Sequence, residues 1–417
     1  MSAPEAVRAA AAGQRRAATP TGNGWQPSST RAPAFVFLIL LSGISPLATD
    51  MYLPALPALG RVLHASASTT QLTLTTFLIG LAVGQIVLGP VSDATGRRVF
   101  LLAGPIGFVI TSFACALAPS AGVLIAARLL QGFAGAAGVV CARAVVSDYY
   151  RGDEAARRFG LLSAVSLLGP ILAPAMGGAL LMLGDWRLVF YALVLVGLIQ
   201  LAGVIWAVPE TLPASERHPA ALGPTIGRMA DLLRDRRFMA HVAVACLAVM
   251  GFFSYIGGSS FVLEHIYGIS SGMYGLIFAT DATGMAVASL LFSRFVARWS
   301  LVGLRRVGLT MSSSAAALLL VLSIVADKPA LAIVWVLLAV VTTGMGFILP
   351  ASTALSQIAG ERAKGTASAL SGGLSFALGA LITPVTGFFG GTSLLIMTVV
   401  MAVFLGLSLL VSHAARA

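Results

Sequence analysis

Among the charged residues inside the long apolar stretches of this 417-residue chain, three have types and positions that suggest proton or ion chemistry, whereas Arg143 lies near the cytoplasmic end of its stretch and is interpreted as structural. The three are Asp50 in SPLATDMYLPALP, Arg128 in RLLQG and Asp281 in IFATDATGMAVASLL. A charge in the middle of a bilayer costs at least about 2.5–3.5 kcal/mol on insertion scales, so such residues usually serve a function. Each also has a simpler explanation. Asp50 and Arg128 would reach the membrane surface, whereas Asp281 would stay neutral and hydrogen-bonded.

The surroundings of Asp50 favour a functional position. Counted from residue 34, it lies about 24 Å along a helix, in the outer third of a hydrocarbon core of about 30 Å. Pro46 and Pro54 remove backbone hydrogen bonds on both sides of it, as in broken helices that line cavities. Tyr52 belongs to an apolar run that continues beyond the acid. These features favour a cavity-lining acid over an exposed helix end.

The elements that would position these charges are membrane-spanning helices. The chain is 58% hydrophobic and 10% charged, with a mean hydropathy of +0.94, which is far from the composition of a water-soluble domain. No alternation typical of a membrane barrel is present, so we predict an all-α membrane protein. The twelve predicted spans are 34–54, 70–91, 99–118, 122–146, 159–182, 188–208, 239–259, 273–296, 304–325, 331–355, 366–388 and 391–412.

The distribution of the basic residues predicts the orientation of these spans. Of 26 lysines and arginines, 21 fall in the N-terminal tail, in the loops after even-numbered spans or in the C-terminal tail, whereas the opposite loops hold only Arg61, Arg187 and Lys328. The positive-inside rule therefore places both termini in the cytoplasm. It also accounts for the net charge of +11 without nucleic acid as a partner. The N-terminal stretch does not resemble a cleaved signal peptide.

The predicted domain organisation is two six-helix bundles joined by a charged linker. Residues 1–33 form a cytoplasmic tail, 34–208 the first bundle, 209–238 the linker, 239–412 the second bundle and 413–417 a short tail. Residues 89–98 after the second span and 293–306 after the eighth are weakly similar, which indicates duplication. Paired halves with a site near the midplane are typical of secondary transporters.

The sequence gives no sign of a cofactor or an ATP-hydrolysing site. Neither lysine stands in a Walker A pattern, so uphill transport would need an ion gradient or a separate subunit. The three cysteines lie far apart inside apolar spans, and the five histidines form no metal-binding pattern. We therefore expect no disulfide, no metal and no cofactor.

Several motifs resemble those of one transporter family, the major facilitator superfamily. GPVSDATGRR, in the predicted turn between the second and third spans, resembles its signature loop, and RLLQG resembles its fourth-helix motif. GPILAPAMGG in the fifth span is similar to the motif of its antiporters. DMYLPALP, ARAVVSDYY and PETLP resemble the Bcr/CflA group of bacterial drug exporters. The residues that carry the motifs are Gly89, Asp93, Gly96, Arg97, Arg98, Gln131, Gly132, Gly169, Pro170, Pro174, Gly177, Gly178, Tyr52 and Pro54.

The resemblance implies alternating access between two bundles and export of drugs in exchange for protons from the bacterial inner membrane. It implies proton coupling by Asp50, Arg128 and Asp281, where Asp281 replaces a more usual Asn. It also implies a conformational latch at residues 89–98, with Asp93 docking on the N-terminus of the eleventh span. Tyr52, Pro54 and the motif residues of the fourth and fifth spans would belong to the substrate cavity or the antiporter motif. We expect a monomer that binds drug-like molecules, protons and lipid.

Two alternative functions remain open at this point. An uptake symporter or a metabolite exporter would share the same fold, although the proline and glycine motif of the fifth span argues against uptake. A membrane sensor that transports nothing is the alternative outside transport. Its difficulty is that the chain contains no soluble domain that would receive or emit a signal.

Overall fold

A computed structural model describes residues 35–150, 152–217, 222–361, 364–388 and 393–414. Helices make up nearly all of this part of the chain, which contains no β-strand, so the predicted all-α class is confirmed. The predicted N-terminal tail and the last three residues lie outside the described residues. The described residues form one compact unit.

Eleven described helices are long and apolar enough to cross a membrane. The fifth predicted span is a 32-residue helix, Gly152–Leu183, of which Leu168–Leu183 is the apolar part. The spans after the first are Ala67–Thr95, Arg97–Ala116, Ala121–Tyr149, Gly152–Leu183, Arg187–Ala207, Arg236–Tyr267, Ser271–Phe295, Leu301–Val325, Leu331–Ala359, Lys364–Phe388 and Leu394–Ala414. They are numbered second to twelfth below.

The first span is broken into short pieces and is longer than predicted. It consists of Phe35–Ser42, Ile44–Asp50, a 3₁₀ turn Leu53–Ala55 and Leu56–Val62. Prolines in the first positions of the last two pieces are tolerated because no intrahelical N–H is needed there. The apolar run therefore extends to Val62. Asp50 lies about 22 Å from its start and about 18 Å from its end, close to the middle.

Hydroxyl and carboxylate caps begin many of the spans. Ser66, Ser120, Ser270 and Ser300 each accept a hydrogen bond from the backbone N–H three residues later, and Asp235 caps the seventh span. Within the linker, a turn at Ala214–Glu216 precedes the helix Leu222–Arg234, which packs against the seventh and eleventh spans. The division into two bundles remains a prediction.

Glycines bring some neighbouring spans into backbone contact. A Cβ at Gly132 would overlap the carbonyl oxygen of Phe77, and one at Gly80 would overlap that of Leu129. The second and fourth spans are therefore held close together. Gly308 and Gly344 do the same for the ninth and tenth, where each Cβ would lie 2.6 Å from the other's carbonyl oxygen. Small residues provide this packing where apolar burial cannot drive helix association.

Below, the first six spans are called the first half and the last six the second half. The described hydrogen bonds between the two halves all lie at the end opposite the arginine-rich loops. Gln71 Nε2 donates to Gly257 O at 2.8 Å and to Thr386 Oγ1 at 3.3 Å, and Thr75 Oγ1 donates to Ala380 O at 2.7 Å. The fifth and eighth spans also meet there, since a Cβ at Gly275 would lie 2.5 Å from Pro174 O. We call this contact the inter-half gate. It consists of residues 67–75, 174–182, 255–275 and 380–388.

Candidate transport and coupling site

Arg128 lies fully buried within the first half, where polar and aromatic groups surround its guanidinium. Nη1 donates to Gln131 Oε1 at 2.7 Å, Nη2 to Ala48 O at 3.1 Å and Nε to Thr73 O at 3.3 Å. Gln131 in turn donates from Nε2 to Ser112 Oγ at 2.7 Å. The side chain therefore does not extend to the membrane surface, as the simpler explanation required.

Three aromatic rings complete the surroundings of Arg128. Its Cζ lies 4.3 Å from the ring centroid of Phe77, 4.7 Å from that of Tyr52 and 5.8 Å from that of Phe190. Ring faces attract cations, and more strongly where water is excluded. Tyr52 is itself fully buried and shares a 2.8 Å hydrogen bond with Thr73 Oγ1. The predicted cavity residue Tyr52 thus lies beside Arg128 inside the first half.

The break in the first span places Asp50 at the end of a short helix. Its carboxylate accepts a 3.0 Å hydrogen bond from Thr49 Oγ1. Within the described residues, no basic nitrogen lies within 4.0 Å of it. Arg128 is instead bonded to the carbonyl of Ala48, two residues earlier. Arg128 and Asp50 therefore share one structural unit but form no ion pair.

Asp281 lies in the second half and is 1% exposed. Tyr255 donates a 2.7 Å hydrogen bond to its Oδ2, and the Tyr255 ring stacks on Phe278 at 5.5 Å and 9°. Its Oδ1 has no hydrogen-bond partner among the described residues. No described cationic nitrogen lies within 4.0 Å of this carboxylate either. Asp281 is a buried acid with one oxygen available.

The signature motif forms a charge network at the arginine-rich end. Arg97 is 8% exposed, pairs with Asp93, donates from Nη1 to Ser92 Oγ at 2.7 Å and lies 3.4 Å from Asp148 Oδ2. Asp93 is therefore held by its own segment in this structure. Side chains at the start of the eleventh span lie outside the described residues, so docking of Asp93 there remains a prediction.

Glu210, after the sixth span, caps the start of the third span. Its carboxylate accepts hydrogen bonds from the backbone N–H groups of Arg97 at 2.9 Å and Arg98 at 3.2 Å, and from those of Thr211 and Leu212 at 3.0 Å each. The predicted turn is shorter than expected, because residues 89–95, including Gly89, are helical. Gly96, with φ +105°, is the single residue that separates the helices of the second and third spans.

The glycines and prolines of the fifth-span motif pack against neighbouring backbone. A Cβ at Gly169 would lie 2.5 Å from Pro46 Cβ, and one at Gly177 would overlap Met51 O. A Cβ at Gly178 would lie 2.8 Å from Ser271 O in the other half. Pro174 contributes its carbonyl to the same gate, while Pro170 and Pro54 are half-buried and buried. These contacts join the broken first span and the inter-half gate through one helix.

Sequence reasoning missed three functional partners that the structure brings together with predicted residues. Asp148 and Glu210 occur in ARAVVSDYY and PETLP but had no predicted role, and Tyr255 had no signal at all. Gln71 belongs to none of the motifs, yet it bonds across the two halves. Motif membership could have suggested the two acids.

Comparisons with known proteins agree with this architecture. The family model described as "Major Facilitator Superfamily" matches residues 38–384. The uncharacterized MFS-type transporter YdgK of Bacillus subtilis is 35% identical over 364 residues, covering 87% of this chain and 90% of the relative. A chloramphenicol resistance protein of Pseudomonas aeruginosa is 31% identical, covering 75% and 71%. A bicyclomycin resistance protein homolog of Haemophilus influenzae is also 31% identical, covering 66% and 70%.

Solved structures share the fold at low sequence identity. A bacterial homolog of the human lysosomal transporter Spinster, in an inward-facing and occupied conformation, has a TM-score of 0.74 at 18% identity, covering 91% of this chain and 96% of that chain. A D-xylose-proton symporter has a TM-score of 0.66 at 16% identity, covering 90% and 96%.

Proposed function

The chain belongs to the major facilitator superfamily, and from that premise we propose that it exports drug-like small molecules in exchange for protons. Membership makes it a multi-pass membrane transporter of small molecules. Relatives named for resistance to chloramphenicol and bicyclomycin support drugs as the substrate class and the Bcr/CflA group as the branch. The observation that carries the proton coupling is the acid at the break of the first span.

Asp50 is the group that we propose to carry the proton. It lies near the middle of the span, and no described cation within 4.0 Å has to be released before it changes its charge. The helix ends at Asp50, and Pro54 has no N–H to offer to the carbonyl that precedes it by four residues. Such a break is tolerated at membrane depth where the backbone is buried in protein or lines a water-filled cavity.

Arg128 is proposed to set the geometry and the electrostatic potential around this acid. Its Nη2 bonds the Ala48 carbonyl, which the ending helix leaves free, and its guanidinium packs on the ring of Tyr52. Both contacts lie within two residues of Asp50. A change in the charge of Asp50 would therefore affect the contacts that Arg128 makes with Ala48 and Tyr52. Asp281, hydrogen-bonded to Tyr255, is proposed to contribute to substrate choice and to bind a second proton or a cationic substrate.

Alternating access is proposed to use the two ends of the molecule in turn. The inter-half gate is closed in this structure, which would prevent release on that side. Opening it would require the arginine-rich ends to approach each other, and Asp93 would then leave Arg97 and dock on the eleventh span. With the positive-inside orientation, the closed gate faces outward. We propose a monomer in the bacterial inner membrane with both termini in the cytoplasm.

The test is drug tolerance and uphill transport by an Asp50→Asn variant. Expression in a bacterium lacking its main exporters should raise tolerance to some members of a panel of antibiotics and dyes. Asp50→Asn should abolish that tolerance and pH-driven uptake into inside-out vesicles, with normal membrane insertion. Asp327→Asn is the matched control, because Asp327 is an exposed loop acid. Full activity of Asp50→Asn would refute the proposed proton carrier, and no tolerance to any compound would argue against drug export.

A further inference from the structure

The third and ninth spans begin with equivalent arginine pairs in the two halves. Arg97 and Arg98 open the third span, and Arg305 and Arg306 stand in the first turns of the ninth. Arg97 has an acid four residues before it and another, Asp148, at the end of the fourth span. The first half therefore neutralises its buried arginine with its own carboxylates.

The second half offers no such acids to Arg305. Leu301 occupies the position four residues before it, and the tenth span reads Leu-Ser-Gln-Ile over residues 355–358, the stretch corresponding to Asp148. Arg305 is nevertheless fully buried, at 0% exposure. Its Nη1 lies 3.2 Å from His241 Nδ1, and within the described chain no carboxylate lies within 4.0 Å of it.

Further unpaired buried polar atoms lie on the spans that pack beside this arginine. Of eleven such atoms among the described residues, five lie at this end of the second half. They are Arg305 Nε and Nη2, Arg306 Nε, Ser352 Oγ and Ser412 Oγ. Arg306 reaches Ser412 O at 3.4 Å, which links the ninth span to the twelfth. Every one of the five atoms is able to donate a hydrogen bond, and buried donors of this kind normally have an acceptor.

We propose that the arginine-rich ends of the ninth, tenth and twelfth spans bind a phosphate group, that of an anionic phospholipid headgroup, with Arg305 as its principal ligand. A phosphate presents several acceptor oxygens and accepts two parallel hydrogen bonds from one guanidinium. Arg305 is the fifth residue of its span and Ser412 the third from the end of its own, the depth at which headgroups lie. Because Arg305 is fully buried, entry of the headgroup would require neighbouring side chains to move aside. This inference does not depend on the proposed function.

The experiment measures thermal unfolding of the purified full-length chain in detergent. Phosphatidylglycerol is compared with diacylglycerol of the same acyl chains, and inorganic phosphate with chloride at matched ionic strength. Phosphatidylglycerol should raise the unfolding midpoint of the wild type, whereas diacylglycerol should not. Arg305→Gln should weaken the apparent lipid affinity at least about tenfold, because charge-assisted hydrogen bonds are lost. Arg298→Gln, which removes an exposed arginine at the same end, should match the wild type.

A second variant keeps the test decisive if Arg305→Gln does not fold. Ser352→Asp supplies the second half with an acid at an unpaired buried hydroxyl of the tenth span, the role that Asp148 fills in the first half. It should raise the midpoint without lipid and reduce the gain from phosphatidylglycerol. Inorganic phosphate acting alone at the same site would support the phosphate chemistry and assign a soluble source. Equal effects of the two lipids on the wild type, or an undiminished lipid effect in Arg305→Gln, would overturn the proposal.

Discussion

Replacing Gln71 by alanine should open the inter-half gate. The side chain makes two hydrogen bonds across the halves, to Gly257 O and Thr386 Oγ1. Each is worth about 0.5–1.5 kcal/mol net, so their loss disfavours the closed gate by about 1–3 kcal/mol. At 1.4 kcal/mol per tenfold, the ratio of open to closed molecules should rise about 5- to 150-fold.

The assay measures alkylation of a cysteine at the gate by a membrane-impermeant maleimide added outside intact cells. Ser68→Cys is the reporter, because the backbone of Ser68 lies against Gly387 of the other half. The three native cysteines are buried and should contribute little background. If open molecules are the minority, the labelling rate rises in proportion to their population. Gln71→Ala should therefore accelerate labelling by at least about fivefold.

Two further variants determine whether the effect belongs to the hydrogen bonds. Thr75→Val removes one bond of 2.7 Å to Ala380 O and should give a smaller acceleration. Leu72→Ala changes the adjacent residue, which is 36% exposed, and should leave the rate unchanged. Equal labelling rates in Gln71→Ala and Leu72→Ala would show that these hydrogen bonds do not hold the gate closed.

Three other predictions concern the acids. Asp281→Asn and Tyr255→Phe should both change tolerance to cationic compounds more than to neutral ones, because they alter one hydrogen-bonded pair; a uniform change across a drug panel would contradict this. Asp93→Asn should slow turnover in proteoliposomes while ligand affinity stays nearly intact, and equal losses of both would count against a latch. Glu210→Gln should lower the unfolding midpoint, because it removes the negative charge that accepts four backbone hydrogen bonds, and a hydrogen bond to a charged group is worth about 1.5–3 kcal/mol. The control is Glu361→Gln, which changes an exposed acid and should leave the midpoint unchanged.

Hydropathy predicted the number and order of the helices, because each span must bury its backbone polar groups internally. It failed at the ends of some helices. The first span was predicted to stop at Pro54, yet prolines at the starts of short helices let the chain continue to Val62. The second span was predicted to stop at residue 91, yet the helix continues to Thr95. Polar residues mark the edge of the hydrocarbon core, whereas a helix ends where its hydrogen bonds do.

The candidate site was only partly predictable. Intramembrane charge identified Asp50, Arg128 and Asp281, because burial is costly whatever the packing. Their partners depend on how the helices pack, which sequence spacing does not encode. Tyr255 is 26 residues from Asp281 in the sequence. Glu210 is 113 residues from Arg97, whose backbone N–H donates a hydrogen bond to it. The family motifs placed Asp148 and Glu210 in conspicuous segments, but no pattern assigned them to Arg97.

The buried charges differ in whether their surroundings are complete, and this difference supports the division of roles that we propose. The guanidinium of Arg128 has an acceptor for each of its three nitrogens and lies near three aromatic rings. A charge solvated in this way gains little from a further partner. Asp281 has one oxygen without a partner, and Asp50 has only a neighbouring hydroxyl. A carboxylate with few partners at membrane depth stabilises whatever supplies the missing contact, whether a proton or a cationic substrate. We therefore propose that exchange during transport falls to the two acids, while Arg128 positions the broken segment of the first span around Asp50.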